Sequence, residues 1–222
     1  MNTFVPANTP QPAAQDEALR SSALAQRLLH GCGWFALCVG SALAALTCWL
    51  LDGPLMAQPQ WAHQVLGHFL WGRVPTLLVA WFVVLRLNLH GMLTPALVQG
   101  VLQQQLSPWG LGWACVVTAT LCWMWLLLVA SVLTGVGAHW VLGAHAQSLL
   151  AHVLSDSTAQ PLWHAGLRLL VLAMTLAWVS FIEWRFFSAP HLAPGMAFMR
   201  AMVLGALVVL GLELADFFLF FA

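Results

Sequence analysis

The chain has 222 residues, of which 61% are hydrophobic and only 6% are charged, and its mean hydropathy is +0.86. An ordinary soluble domain is about 45–50% apolar and about 25% charged, so this composition excludes that class and indicates an all-α integral membrane protein. Seven basic and seven acidic residues balance each other, so the net charge gives no support for binding nucleic acid.

The basic residues point to a bacterial source. All seven are Arg and none is Lys, and the chain has no Tyr beside its thirteen Trp. Such a bias in residue usage is typical of GC-rich coding DNA. We therefore expect a multi-pass protein of the bacterial cytoplasmic, or inner, membrane.

The amino-terminal segment differs from the rest of the chain. Residues 1–18 are rich in Pro, Ala, Gln and Asn and carry neither the basic nor the apolar region of a signal peptide, so we predict a disordered tail. Residues 19–222 then form a single membrane domain. Its first element is a predicted helix over 19–30, with Arg20 and Arg27 on one face, which we expect to lie on the membrane surface.

Five apolar stretches reach, in whole or in part, the roughly 20 residues that a helix needs to cross a bilayer. The first and third contain no charged residue, whereas the second holds Arg86 and Asn88 in its second half and the fifth holds Glu213 and Asp216. A bundle of about five transmembrane helices is therefore predicted, with four or six as the alternatives. The predicted spans are residues 33–51, 74–93, 111–136, 163–184 and 199–221.

The distribution of Arg predicts the orientation. With five spans and a cytoplasmic amino terminus, five Arg lie on the cytoplasmic side and only two, Arg73 and Arg168, lie outside. Positive charge accumulates on the cytoplasmic side of membrane proteins. The sequence thus favours an amino terminus inside the cell and a carboxyl terminus outside.

Two of the segments between spans are predicted to lie at the outer surface. Residues 54–72 read as a loop followed by a short apolar helix that rests in the interface. Over 138–154, Leu149 and Val153 belong to an apolar face, while His145, Ser148 and His152 cluster on the opposite side. This second segment is predicted to be an interfacial amphipathic helix.

Histidine is the residue type that would hold a haem or a metal here, and none of the nine lies in the middle of a predicted span. Four on the outer side are weak candidates for ligands because the topology brings them towards one boundary. No H-x-x-x-H or H-E-x-x-H pair occurs, so we expect no cofactor, with haem or metal as the alternative. The four candidates are His68, His145, His152 and His164.

Ionisable residues within the spans are the most informative feature. Each costs about 2.5–3.5 kcal/mol at the centre of a span and less near its ends. Glu213 and Asp216 share one helical face, and Arg168 enters the preceding span from the same side, so we predict an ion pair between Arg168 and Glu213. Glu183 lies beside Arg185, where we expect it to reach water. The full set of candidates is Arg86, Arg168, Glu183, Glu213 and Asp216.

Three classes of function remain. No G-x-S-x-G motif and no phosphate-binding loop occurs, and Ser41, Ser131 and Ser180 are expected to bond their own helix backbones. We therefore expect a non-enzymatic structural or assembly subunit of a larger membrane complex, of the secretion, conjugation or respiratory type, in contact with lipid and with other subunits or copies of itself. The alternatives are a small transporter or channel using Arg86, Glu213 and Asp216, and a redox subunit with outer-side His ligands.

Overall fold

The computed structural model describes residues 11–53, 63–93, 107–142, 148, 160–187 and 194–221, and within these ranges the ordered structure is entirely helical. The helices are α1 (Gln11–Leu29), α2 (Cys32–Asp52), α3 (Val74–Leu93), α4 (Pro108–Gly137), α5 (Gln160–Ile182) and α6 (Pro194–Phe221). Three of them are extended by π-type segments: His63–Arg73 leads into α3, Ala138–Leu142 continues α4, and Glu183–Phe187 continues α5.

Four helical segments are long and apolar enough to cross a membrane, and they coincide with the first four predicted spans. They are Cys32–Asp52, Val65–His90, Pro108–Trp140 and Trp163–Arg185. The membrane class predicted from composition is therefore confirmed. Helix α6 forms over the fifth apolar stretch but is not one of these four segments.

Glycine contacts reveal that α2 and α4 run in the same direction. A Cβ atom added at Gly40 would come within 2.9 Å of Val129 Cγ1, and one added at Gly137 would come within 2.8 Å of Cys48 Sγ. The contact points advance together along both helices, which defines a parallel pair. The small side chains at Gly40 and Ala44, both buried, permit this close approach.

Helix α3 is antiparallel to α2. The rings of Phe35 and Phe82 stack with centroids 4.2 Å apart, and further along α3 Arg86 contacts the carbonyl of His30, which precedes α2. Moving forward on one helix therefore means moving backward on the other.

Helix α5 is antiparallel to both α4 and α6. On α4, Gly112 faces Met174, whereas Trp109 meets Trp178 edge to face with ring centroids 5.5 Å apart. On α6, Gly205 faces Leu176. The direction of the chain thus alternates from α2 to α6.

Helix α4 is the centre of the bundle and contacts α1, α2, α3 and α5. Its 30 residues measure about 45 Å, which exceeds the roughly 30 Å of a bilayer's hydrocarbon core. Leu111, Cys115, Cys122 and Leu126 along it are completely buried. A single long helix therefore supplies the core against which the shorter helices pack.

Helix α1 differs from the sequence prediction in extent. It begins at Gln11, because the Ala- and Gln-containing segment up to residue 18 favours a helix and Pro12 is tolerated in a first turn. Leu24 and Leu28 are buried, and Glu17 contacts Ser107 at the start of α4. Helix α1 therefore packs along α4.

The two predicted outer segments have different outcomes. Residues 63–73 continue directly into α3, so the short helix predicted before this span is not a separate element. Ala138–Leu142 likewise continues α4, because its apolar side chains extend that helix beyond Gly137. Apart from Ser148, the remainder of the predicted interfacial helix, with His145 and His152, lies outside the described residues.

Candidate functional site

The guanidinium of Arg168 on α5 contacts the carboxylate of Glu213 on α6. Their side chains are 18% and 23% exposed, so both are largely withdrawn from the surface. The structure therefore has the ion pair that the sequence predicted, and antiparallel packing of α5 and α6 brings the two residues to the same height. The side chain of Asp216 lies outside the described part of the structure.

Arg86 joins α3 to the junction between α1 and α2. Its Nη2 atom donates a hydrogen bond to the carbonyl oxygen of His30, just after the end of α1. Gly31 follows with φ of 93°, a left-handed conformation that glycine adopts readily and that separates α1 from α2. A cation at the carboxyl end of a helix also interacts favourably with the helix dipole. Arg86 thus serves to fix the end of α1.

A polar contact inside the bundle links α3 to α5. Asn88 Nδ2 donates to Ser180 Oγ over 3.1 Å and to the carbonyl oxygen of Val84 over 3.0 Å, and both polar side chains are buried. The expectation that Ser180 bonds its own backbone missed this contact, although it holds for Ser41 and Ser131. Sequence reasoning noted Asn88 only as a residue that weakens a span, because periodicity does not identify the partner of a polar side chain.

Glu183 is buried, contrary to the expectation that it reaches water. Only 3% of the residue is exposed, and Oε2 has no hydrogen-bond partner. Ser180 and Phe181 are buried, and Glu183 and Trp184 follow them by three positions on the same face, while Arg185 stays exposed. The guanidinium of Arg185 lies 6.0 Å from the centre of the Phe181 ring.

A second polar contact that the sequence did not indicate joins α1 to α4. The amide nitrogen of Ser107 donates to Glu17 Oε1 over 3.2 Å, and the amide of Gly110 donates to Ser107 Oγ over 3.1 Å. Glu17 and Ser107 together satisfy donors at the amino end of α4, where an anion is favourable. The signal in the sequence was Ser-Pro before an apolar run, which is typical of a helix start.

Of the four candidate His residues, His164 is the one whose side chain the structure describes. His164 is exposed on α5, the side chain of His68 is outside the described set, and His145 and His152 fall in an undescribed segment. Across the described ranges, no group of three or more His, Cys, Asp or Glu side chains is placed to hold a metal ion. A haem or metal site thus stays an alternative that rests on the sequence only.

The ionisable candidates differ in the contacts that their side chains make. Three of the five ionisable candidates, Arg86, Arg168 and Glu213, make contacts between helices. Glu183 is different, since it carries a buried carboxylate oxygen that no described group contacts by a hydrogen bond. The structure thus separates charges that join helices from one carboxylate whose role is not explained by helix packing.

Comparison of the chain with known protein families, with curated proteins and with solved structures finds no match.

Proposed function

We propose that the protein is a non-catalytic, multi-pass subunit that has a structural or assembly role in a larger membrane complex. One observation carries this proposal: three charged side chains within the helices, Arg86, Arg168 and Glu213, make contacts that join helices. Arg86 fixes the end of α1, and Arg168 joins α5 to α6 through Glu213. Residues that are committed to such contacts are poorly suited to line a path for an ion or a substrate.

The proposal includes five spans, with α6 as the last, in the inner membrane of a bacterium. Its support is the alternating direction of α2 to α6, together with the excess of Arg on one side of the predicted topology. The amino terminus is then cytoplasmic and the carboxyl terminus is outside. A fluorescent reporter that matures only in the cytoplasm, fused after Ala222, should give no signal in this orientation, and strong fluorescence would contradict it.

Helix α6 is the element that we assign to contact with other subunits. Among its described side chains, the buried face is narrow and consists of Ala201, Gly205 and Val209, whereas Leu207 and Leu210 on the other side are exposed. In this stretch the helix therefore uses one face inside the chain. We propose that the opposite face meets another subunit, of a different kind or a second copy.

Site-specific photocrosslinking in native membranes tests this assignment. A photoreactive amino acid replaces Leu207, which is 58% exposed on α6, and in a matched control it replaces Val132, which is 56% exposed on α4. We expect a protein adduct of one discrete mass from position 207 and only lipid adducts from position 132. A lack of protein adducts at both positions, with a native mass equal to one chain, would contradict the proposal.

A further inference from the structure

Glu183 is a buried acid for which no hydrogen-bond or ion-pair partner is found among the described residues. The residue is 3% exposed, and its Oε2 atom has no hydrogen-bond partner. Burial of an ionised carboxylate is costly unless a positive charge or hydrogen-bond donors compensate it. The buried carboxyl group of Glu183 is therefore neutralised either by a proton or by a bound positive ion.

The neighbouring basic side chain does not meet that need. Arg185 is exposed and its guanidinium lies against the ring of Phe181. Among the described residues, no ion pair with Glu183 is found, and the chain contains no Lys at all. If Glu183 is ionised, its compensating charge therefore comes from a bound ion or from residues beyond those described.

A second unsatisfied oxygen lies at the same helix interface. Asn88 is 1% exposed, and while its Nδ2 atom donates to Ser180 and Val84, its Oδ1 atom has no hydrogen-bond partner. Ser180 precedes Glu183 by three residues and therefore shares its face of α5. Two buried oxygens that lack donors thus belong to one interface between α3 and α5.

The helix geometry distinguishes this place from the rest of α5. The helix changes from α-type to π-type turns at Glu183, and the widened segment Glu183–Phe187 also contacts α6. Turns of the π type are rare and occur frequently at functional sites. The widened segment thus packs against α6 and begins three residues after Ser180, which contacts Asn88 on α3.

We propose that Asn88, Ser180 and Glu183 bind a monovalent metal cation, of the sodium or potassium kind, between α3 and α5. Oxygen atoms from a carboxylate, an amide and a hydroxyl are the ligands that hard cations prefer. One carboxylate balances a single positive charge, whereas divalent sites usually combine several carboxylates. This site is independent of the proposed role as a subunit.

The experiment measures the thermal unfolding of the purified full chain in detergent by its Trp fluorescence, in sodium, potassium or choline chloride at equal ionic strength. A ligand that binds only the folded state raises the unfolding midpoint progressively with its concentration. We expect a higher midpoint in sodium or potassium than in choline. Direct binding of radioactive sodium, or of rubidium as a potassium analogue, should approach one ion per chain.

Three variants make the test specific. Glu183→Gln keeps the shape of the side chain but removes its charge and should abolish the difference between the metal cations and choline, and Asn88→Ala should weaken the apparent affinity at least tenfold. Glu213→Gln is the matched control, because that carboxylate already has Arg168 as its partner, and it should keep the wild-type cation response.

Equal midpoints for the wild type in all three salts, together with no ion binding, would overturn the proposal. A cation response that survives unchanged in Glu183→Gln would overturn it as well. If Glu183→Gln does not fold, Asn88→Ala decides, and an unchanged affinity in that variant overturns the site.

Discussion

The ion pair between Arg168 and Glu213 predicts a specific pattern of non-additive stability. Replacing either residue by Leu removes one charge and leaves the other in an apolar setting, whereas replacing both leaves two apolar side chains that can pack together. The two side chains are only 18% and 23% exposed. We therefore expect each single substitution to be more harmful than the double substitution.

The exposure of the pair sets the size of the effect. Removing one partner of a fully buried pair costs about 3–5 kcal/mol, while an exposed pair is worth about 0–1 kcal/mol. For a pair that is mostly but not fully withdrawn, we expect Arg168→Leu and Glu213→Leu each to lower the free energy of unfolding by about 2 kcal/mol, between these two limits. The double variant should lose less than about 1 kcal/mol, since no lone charge is left.

The assay is equilibrium unfolding in mixed micelles of a mild detergent and sodium dodecyl sulfate. A control cycle combines Arg168→Leu with Glu17→Gln, whose carboxylate contacts Ser107 at the start of α4, and these two effects should add. If Arg168→Leu and Glu213→Leu also add to within about 0.5 kcal/mol, the reasoning is refuted. Glu213 would then have to face a partner subunit or an aqueous path.

Two further predictions concern helix packing and the end of α1. In the same unfolding assay, Gly40→Ala should lower the free energy of unfolding, because its Cβ would meet Val129 Cγ1 at 2.9 Å. The control Gly135→Ala, whose Cβ would have nothing within 4 Å, should leave the free energy of unfolding unchanged or raise it by up to about 1 kcal/mol. Equal effects of the two substitutions would contradict the close packing. Arg86→Leu should speed amide hydrogen exchange in the last turn of α1, because the carbonyl of His30 loses its hydrogen-bond donor. Arg86→Lys should speed the exchange less. Unchanged exchange in Arg86→Leu would contradict the role of Arg86 in fixing the end of α1.

The sequence alone determined the class of the protein and the location of its apolar helices. A bilayer demands long segments without charge, and this demand acts on each segment separately, so composition and length identify it. Predicted spans such as 33–51 and 74–93 therefore correspond closely to the helices Cys32–Asp52 and Val74–Leu93. The pairing of Arg168 with Glu213 was also predictable, since two charges on adjacent antiparallel spans enter from the same side.

Only the tertiary structure decided which helix faces pack against each other. Such packing depends on the distance between two helices and on the rotation of each about its axis, and neither is encoded in the sequence of a single segment. Glu183 is the clearest case: its place beside Arg185 in the sequence predicts contact with water, yet it lies on the buried face of α5. Asn88 donates a hydrogen bond to Ser180, which lies 92 positions further along the chain. Glu17 on α1 contacts Ser107 at the start of α4. Each of these hydrogen bonds joins residues that are distant in sequence. A polar group inside a helical bundle forms its hydrogen bond with whichever helix packs beside it, so its partner depends on the tertiary structure.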